Sequence, residues 1–132
     1  ADHLINYRQT PEWGTRVLEI TGGRGVDHVL EVGGPGTLAQ SIRAVRVGGH
    51  IALIGVLTGH AGEVPTTVLM AKQARLQGLI VGSRRLQQEY IAAMEQTGIR
   101  PVIDRSFPLE QLAEAFRYQE SGRHFGKVVV DI

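Results

Sequence analysis

The stretch Val26-Asp27-His28-Val29-Leu30-Glu31-Val32-Gly33-Gly34-Pro35-Gly36-Thr37 decides the fold. An apolar run of this length, closed by glycine at both ends, fits a strand buried within a parallel sheet. Gly33-Gly34-Pro35-Gly36 is a turn, and Thr37 with Gln40 three residues on has the spacing of a helix capping box. Leu38, Ile42 and Val45 then share one apolar stripe, and Gly48-Gly49 is placed to end that helix. The unit is strand, turn, helix. It begins again at once, because His50 to Gly55 reads as a second buried strand.

Downstream, a glycine-marked loop from Val56 to Gly62 precedes a weaker helical stretch over Thr67 to Gln73. Leu76 to Gly82 is a third short strand, and Ser83-Arg84 opens a helix with Leu86, Tyr90 and Met94 in register. Arg100 to Phe107 is extended. Pro108 suits the first turn of a helix carrying Leu109, Leu112 and Phe116, and Gly126 to Ile132 closes as a strand. Upstream, Leu4-Ile5-Asn6-Tyr7 is a short strand candidate, while Trp13, Val17 and Ile20 follow at helical spacing until Gly22-Gly23. Strands alternating with helices predict a parallel α/β sheet with right-handed crossovers.

Composition narrows the function classes. A chain of 132 residues holds one compact domain, or one domain and a piece of another. Apolar residues at 42% and a net charge of +1 argue against a disordered tail and against a dedicated nucleic-acid binder. No apolar run approaches the ~18 residues of a membrane span, and the N-terminus shows no signal pattern. Cysteine is absent, which excludes disulfides and thiolate metal sites. The expectation is a soluble, cytoplasmic protein. Because Ala1-Asp2-His3 leads straight into an apolar stretch, the chain reads as beginning in mid-fold.

In an open parallel sheet, ligands bind at the carboxyl ends of the strands. Two such ends carry small, backbone-rich loops, Val32 to Thr37 and Ile54 to Gly59, whose free N–H and C=O groups could bond a flat ring or a ribose. At the third, Gly82-Ser83-Arg84 offers helix N–H groups and a guanidinium to an anion. Glycine loops occur in every α/β protein, and on loop composition alone that ordinary reading is the better one. His3, His28, His50, His60 and His124 show no ligand spacing and are read as structural or surface residues. Glu31 sits on a strand leading into a glycine loop and could be polar for a reason, though a single carboxylate is a weak signal. Arg84-Arg85 at a helix start reads more readily as a solvated pair.

The order of the segments is more specific than any one of them. Ala1 to Tyr7, Thr21-Gly22-Gly23-Arg24-Gly25-Val26-Asp27, Glu31-Val32-Gly33-Gly34, Gly48 to Gly55 and Ser121-Gly122-Arg123-His124-Phe125-Gly126-Lys127-Val128-Val129 follow one another in a familiar succession. Over essentially the whole chain this resembles the medium-chain dehydrogenase/reductase superfamily, nearest its zinc-type alcohol dehydrogenase and quinone oxidoreductase branch.

The resemblance implies a partial Rossmann fold, a doubly wound parallel sheet without its first two strands. Residues 1–99 would be the rear of the NAD(P)-binding domain, with Ala1 to Tyr7 as its third strand. Residues 100–132 would be a helix-strand segment returning to the GroES-like catalytic domain. Gly33, Gly34, Gly55 and Val56 would border the nicotinamide and its ribose, and Val81 would meet the carboxamide. Ser83 and Arg84 would offer the anion site, and Lys127 would approach the pyrophosphate as a point charge.

The implied cofactor is NAD or NADP, with NADP preferred, and no zinc is held by this chain. The glycine-rich phosphate turn, the nucleotide-choosing strand end and the catalytic half would lie elsewhere, so no catalytic residue is assigned here. In the expected strand order 3-2-1-4-5-6, loss of two strands leaves an edge open. A displaced or swapped third strand, a partner chain or a longer product would resolve it. The strand Leu76 to Gly82 would be a homodimer edge. The implied function is hydride transfer between NAD(P) and an alcohol, carbonyl or quinone-like small molecule, with the chain inactive alone. A non-catalytic nucleotide-binding or dimerisation module is the alternative, and neither nucleic acid nor membrane is an expected partner.

Overall fold

The computed structural model describes residues 1–132, which form two compact units, Ala1–Val81 and Gly82–Ile132. In the first, the elements run α1 (Trp13–Ile20), β1 (Val26–Glu31), α2 (Pro35–Ala44), β2 (Val45–Leu53), α3 (Thr66–Ala71) and β3 (Arg75–Gly78). The strands form one parallel sheet in the order β1-β2-β3, the contiguous arrangement expected of the three apolar runs. Val29, Ile51 and Leu76 stand side by side across it. They pack with Leu38, Ile42 and Val45, and with Leu69 of α3, as the core of the unit. Ile42, Val45 and Ile51 are fully buried, each worth about 1.5–3 kcal/mol of transfer from water. The alternate residues of β1 face the other way, and Leu30 is 72% exposed there. The strand is therefore half covered rather than buried on both faces.

Several local expectations give way to packing. Leu4 to Tyr7 is not a strand. The Asn6 carbonyl accepts from the N–H groups of Gln9 (3.0 Å) and Thr10 (2.9 Å), and its Oδ1 from that of Arg8 (3.0 Å), so the segment closes into a turn with no strand beside it. The capping box of Thr37 and Gln40 does not form either. Helix α2 starts one turn earlier with Pro35 in its first turn, and Gln40 Oε1 instead accepts the Gly14 N–H at 2.8 Å, joining α1 to α2. Nor do Gly48-Gly49 end that helix. It ends at Ala44, because Val45 and Val47 are β-branched and Val45 pairs with Val26. β2 thus begins well before His50, and the register slips between its first and second pairings with β1.

The third strand is shorter than Leu76 to Gly82. Its partner β2 stops at Leu53, whose carbonyl takes the Leu79 N–H at 2.9 Å. Ile80 and Val81 are unpaired and almost fully exposed.

The second unit contains α4 (Arg84–Thr97), β4 (Ile103–Pro108), α5 (Leu112–Glu120) and β5 (Lys127–Asp131). β4 and β5 pair in parallel across α5, with Phe107 and Ala115 buried between them. Pro108 ends β4 and leads into a 3₁₀ turn, Leu109–Gln111, so the helix proper starts later than expected. The Tyr118 hydroxyl donates to Asp104 Oδ2 at 2.7 Å, and the Arg105 guanidinium lies 4.4 Å from the Tyr118 ring centre. No helix in the chain is long and apolar enough to cross a membrane.

The start of the first sheet is fastened by charge. Asp27 Oδ1 accepts from Arg24 Nη2 and from Arg46 Nε, both at 2.6 Å, which joins the turn before β1 to the start of β2. These bonds, Arg24 first and Arg46 second, hold the Asp27 carboxyl well below the usual carboxylate range. A depressed carboxyl pKa stabilises the fold above its unfolded value, and the gain is lost as pH falls. Asp27→Asn is therefore expected to lose less stability than the parent between about pH 5 and pH 2. Urea midpoints measured at both ends of that range check it, and equal acid losses in the two proteins would contradict it.

Candidate functional site

Because the sheet is parallel, β1 and β2 deliver their loops to the same end, and one residue fastens both. Glu31 shares the strand parity of Val29, so it points to the helix side, where it is 3% exposed. Its Oε1 accepts from the Gly33 N–H (2.8 Å), the Gly34 N–H (2.9 Å) and Thr37 Oγ1 (2.6 Å), and its Oε2 from Ser41 Oγ. The Glu31 carbonyl takes the N–H groups of Ile54 (2.8 Å) and Gly55 (3.1 Å). Thr58 ties the loops a second time. Its N–H and Oγ1 both donate to the Gly33 carbonyl (2.9 and 2.8 Å), and Oγ1 accepts the Gly36 N–H at 2.8 Å.

Gly33, Gly34, Gly55 and Val56, each expected at the cofactor from the resemblance, are thus brought together. The reason for glycine differs from the one expected. A Cβ on Gly34 would stand 2.9 Å from the Gly55 carbonyl oxygen, and one on Gly55 would overlap that of Val32. Gly34 also holds φ 87° and ψ −145°, backbone that residues with a side chain rarely adopt. The missing side chains let loop meet loop. The N–H groups of Gly33, Gly34 and Gly36 are engaged inside the protein and are not free for a ligand.

Beside these loops lies a cavity of about 490 Å³. Val29, Leu30, Val32 and Leu57 give it apolar walls, and Thr37, Ser41 and Thr58 border it with hydroxyls. Val32 and Val56 are each 53% exposed around the loops. An apolar recess with a few hydroxyls suits a flat, weakly polar ring. Glu31 lines it too, with its carboxylate already engaged by Gly33, Gly34, Thr37 and Ser41.

Val81 is exposed beyond the end of β3. Ser83, Arg84 and Lys127 belong to the second unit. Ser83 caps α4 by accepting the Leu86 N–H at 3.3 Å, Arg84 is the first residue of that helix, and Arg85 pairs with Glu89 at 3.2 Å. Lys127 is exposed at the start of β5, and its N–H donates to the Val102 carbonyl at 2.8 Å. Among the histidines, His28 and His50 meet edge to face, with ring centres 5.8 Å apart, at the start of the paired strands. No group of three or more His, Cys, Asp or Glu side chains could hold a metal ion, so these residues present no zinc ligand set.

Sequence reasoning underweighted Glu31 and passed over Ser41 and Thr58. A signal existed for the first two. Glu31 interrupts the inward parity of an apolar strand, and Ser41 sits among the apolar positions of α2 between Leu38 and Ile42. Thr58 had none, since its partners are 22 and 25 residues distant.

Parallel strands, helices on the sheet and joined glycine loops at the strand ends define a Rossmann-type α/β domain. The family model for zinc-binding dehydrogenases matches residues 1–130, and the chain belongs to that family, within the medium-chain dehydrogenase/reductase superfamily. A zinc-type alcohol dehydrogenase-like protein of Schizosaccharomyces pombe is 40% identical, over the whole chain and 39% of its own length. The crystal structure of an NAD-dependent alcohol dehydrogenase superposes with a TM-score of 0.85 at 32% identity, covering all of this chain and 38% of that one. A crotonyl-CoA carboxylase/reductase in complex with NADP does so with a TM-score of 0.81 at 30% identity, covering 91% and 30%. The chain therefore spans about two-fifths or less of the proteins it matches.

The loop packing has a direct consequence for stability. Gly34→Ala is expected to cost about 1–3 kcal/mol from backbone strain alone, before the contact with Gly55 is counted. Urea unfolding measures it, and a change below about 0.5 kcal/mol, as at an ordinary surface site, would contradict the loop-on-loop account.

Proposed function

We propose that this chain supplies the nicotinamide end of the cofactor site in an oxidoreductase that transfers a hydride between NAD(P) and an alcohol, carbonyl or quinone-like substrate. The observation that carries this reading is the pairing of the Gly33-Gly34 and Gly55-Val56 loops beside an apolar recess at the carboxyl end of a parallel sheet. The main chain around these four residues would border the nicotinamide and its ribose, with Val32, Val56 and Leu57 covering the ring. When bound, the cofactor supplies the hydride chemistry, and the chain's own part is to bind it, orient it and keep water from one side. Relatives named as dehydrogenases and reductases support the class. NADP is favoured over NAD on the NADP complex of one structural relative, while the NAD-dependent one makes NAD its competitor.

Residues 1–99 are assigned to the cofactor domain. Residues 100–132 are assigned to a return segment of the catalytic domain; the separate β4–β5 sheet supports a division of the chain, while α4 groups with that sheet in the second compact unit. The catalytic groups lie outside these residues, the chain alone turns over nothing, and the reaction takes place in the cytoplasm. Titration with NADPH and with NADH, followed by the amide resonances, tests the reading. Saturable shifts at Gly33, Gly34, Gly55 and Val56 are expected, larger in affinity for NADPH. No shift at these loops up to about 1 mM of either nucleotide, weaker than about 4 kcal/mol of binding, would end it.

A homodimer through the outer strand completes the proposal. β3 has one free edge, and Ile80 and Val81 beyond it are apolar and exposed. Sedimentation is expected to give a dimer that Ile80→Asp converts to a monomer. A monomeric parent protein would remove the edge assignment and leave the cofactor reading intact.

A further inference from the structure

We propose that Glu31 is the positioning residue of the nicotinamide-end site, setting the shape of both loops at once. This rests on the cofactor reading above and deepens it. The side chain holds the first loop through Gly33, Gly34 and Thr37, and the carbonyl of the same residue holds the second through Ile54 and Gly55. No other residue bonds both loops from within the sheet. Thr58 joins them from the loop side, but its own place depends on the Gly33 carbonyl, which the Glu31 carboxylate orients through the adjoining amides.

The chemistry requires an acceptor with no proton of its own. Two backbone N–H groups and a hydroxyl converge on Oε1, and a second hydroxyl reaches Oε2. A carboxylate accepts at both oxygens and has about four lone-pair sites, so it satisfies every donor in this buried place. An amide at position 31 would do most of the same work. Its oxygen would keep the Gly33, Gly34 and Thr37 donors, and its NH₂ could donate to Ser41, whose hydroxyl can also accept. An alanine would leave two glycine amides and the Ser41 hydroxyl without a partner, and the Thr37 hydroxyl with only its longer bond to the Gly34 carbonyl. The glycines are the part of the chain best able to move when released.

Four variants separate positioning from simple stability. The readouts are hydrogen exchange of the Gly33 and Gly34 amides and the dissociation constants for NADPH and NADH, measured in the intact protein. In Glu31→Ala, exchange at both glycines is expected to rise about tenfold, and both nucleotides to bind about tenfold more weakly, as loss of a charged hydrogen bond implies. The β1–β2 ladder amides should stay protected. Glu31→Gln should rescue affinity to within about threefold, since it keeps the geometry and loses only charge. Ile42→Val trims a fully buried core residue that lies outside the recess and bonds neither loop, so it should lower the urea midpoint while leaving affinity unchanged.

Unchanged affinity in a folded Glu31→Ala, or an equal loss in Ile42→Val, would overturn the assignment while the cofactor reading stands. A parent protein that binds neither nucleotide would take both down. If Glu31→Ala does not fold, Thr37→Val carries the test. It takes one donor from Oε1 and should weaken binding about threefold, and no change would overturn the assignment.

Discussion

A carboxylate taken out of water must be given donors, and the first unit is arranged around that demand. Glu31 is 3% exposed at the end of a strand whose inward neighbour, Val29, packs against the apolar core. An isolated charge there would cost several kcal/mol, so the residue is tolerable only if the chain bends its own polar groups toward it. Two glycines in succession can do this, because Gly34 can take a φ of 87° and neither carries a Cβ into the narrow space. Helix α2 then enters with Ser41 and Thr37 already on the facing side, one turn apart. The same helix places Leu38 and Ile42 on the sheet. Burial of the charge and burial of the core are achieved by one helix in one orientation.

Most of the architecture was legible in the sequence because its signals are local and repeated. Apolar runs bounded by glycine gave β1, β2 and the start of β3, and 3.6-residue stripes gave α1, α2, α4 and α5. What was not legible depends on partners far along the chain. Leu4 to Tyr7 has the apolar character of a strand, but a strand exists only where another accepts its hydrogen bonds, and here the nearest acceptor is the turn at Asn6. Val45 to Val47 has too few residues to announce itself, yet pairing with Val26 draws it into β2. Thr37 and Gln40 show the limit of motif reading most plainly. Their spacing fits a capping box, but one side chain is taken by Glu31 and the other by Gly14.

The candidate site was half legible for a related reason. Gly33, Gly34, Gly55 and Val56 were assigned from a resemblance that fixes their order in the chain. Sequence could not say what the glycines are for. Expectation had them opening the main chain to a ligand, whereas their amides are engaged by Glu31 and Thr58 and their bare α-carbons by the opposite loop. These accounts predict different tolerances. A glycine kept for ligand approach accepts a small side chain until the ligand arrives. A glycine kept for loop-on-loop contact rejects it in the folded protein itself.

That difference bears on how such a site holds its shape. A loop whose hydrogen bonds all point to a ligand is ordered only when the ligand is there, and binding must then supply the ordering. Here nine hydrogen bonds of Glu31 or Thr58 hold the loops, five of them joining one loop to the other. The loops are ordered by the protein's own groups, which withdraws the amides of Gly33, Gly34 and Gly36 from the surface. What the loops still present is shape: the apolar side chains of Val32 and Leu57 on the wall of the recess. A recess built in this way offers a flat ring fit rather than bonds.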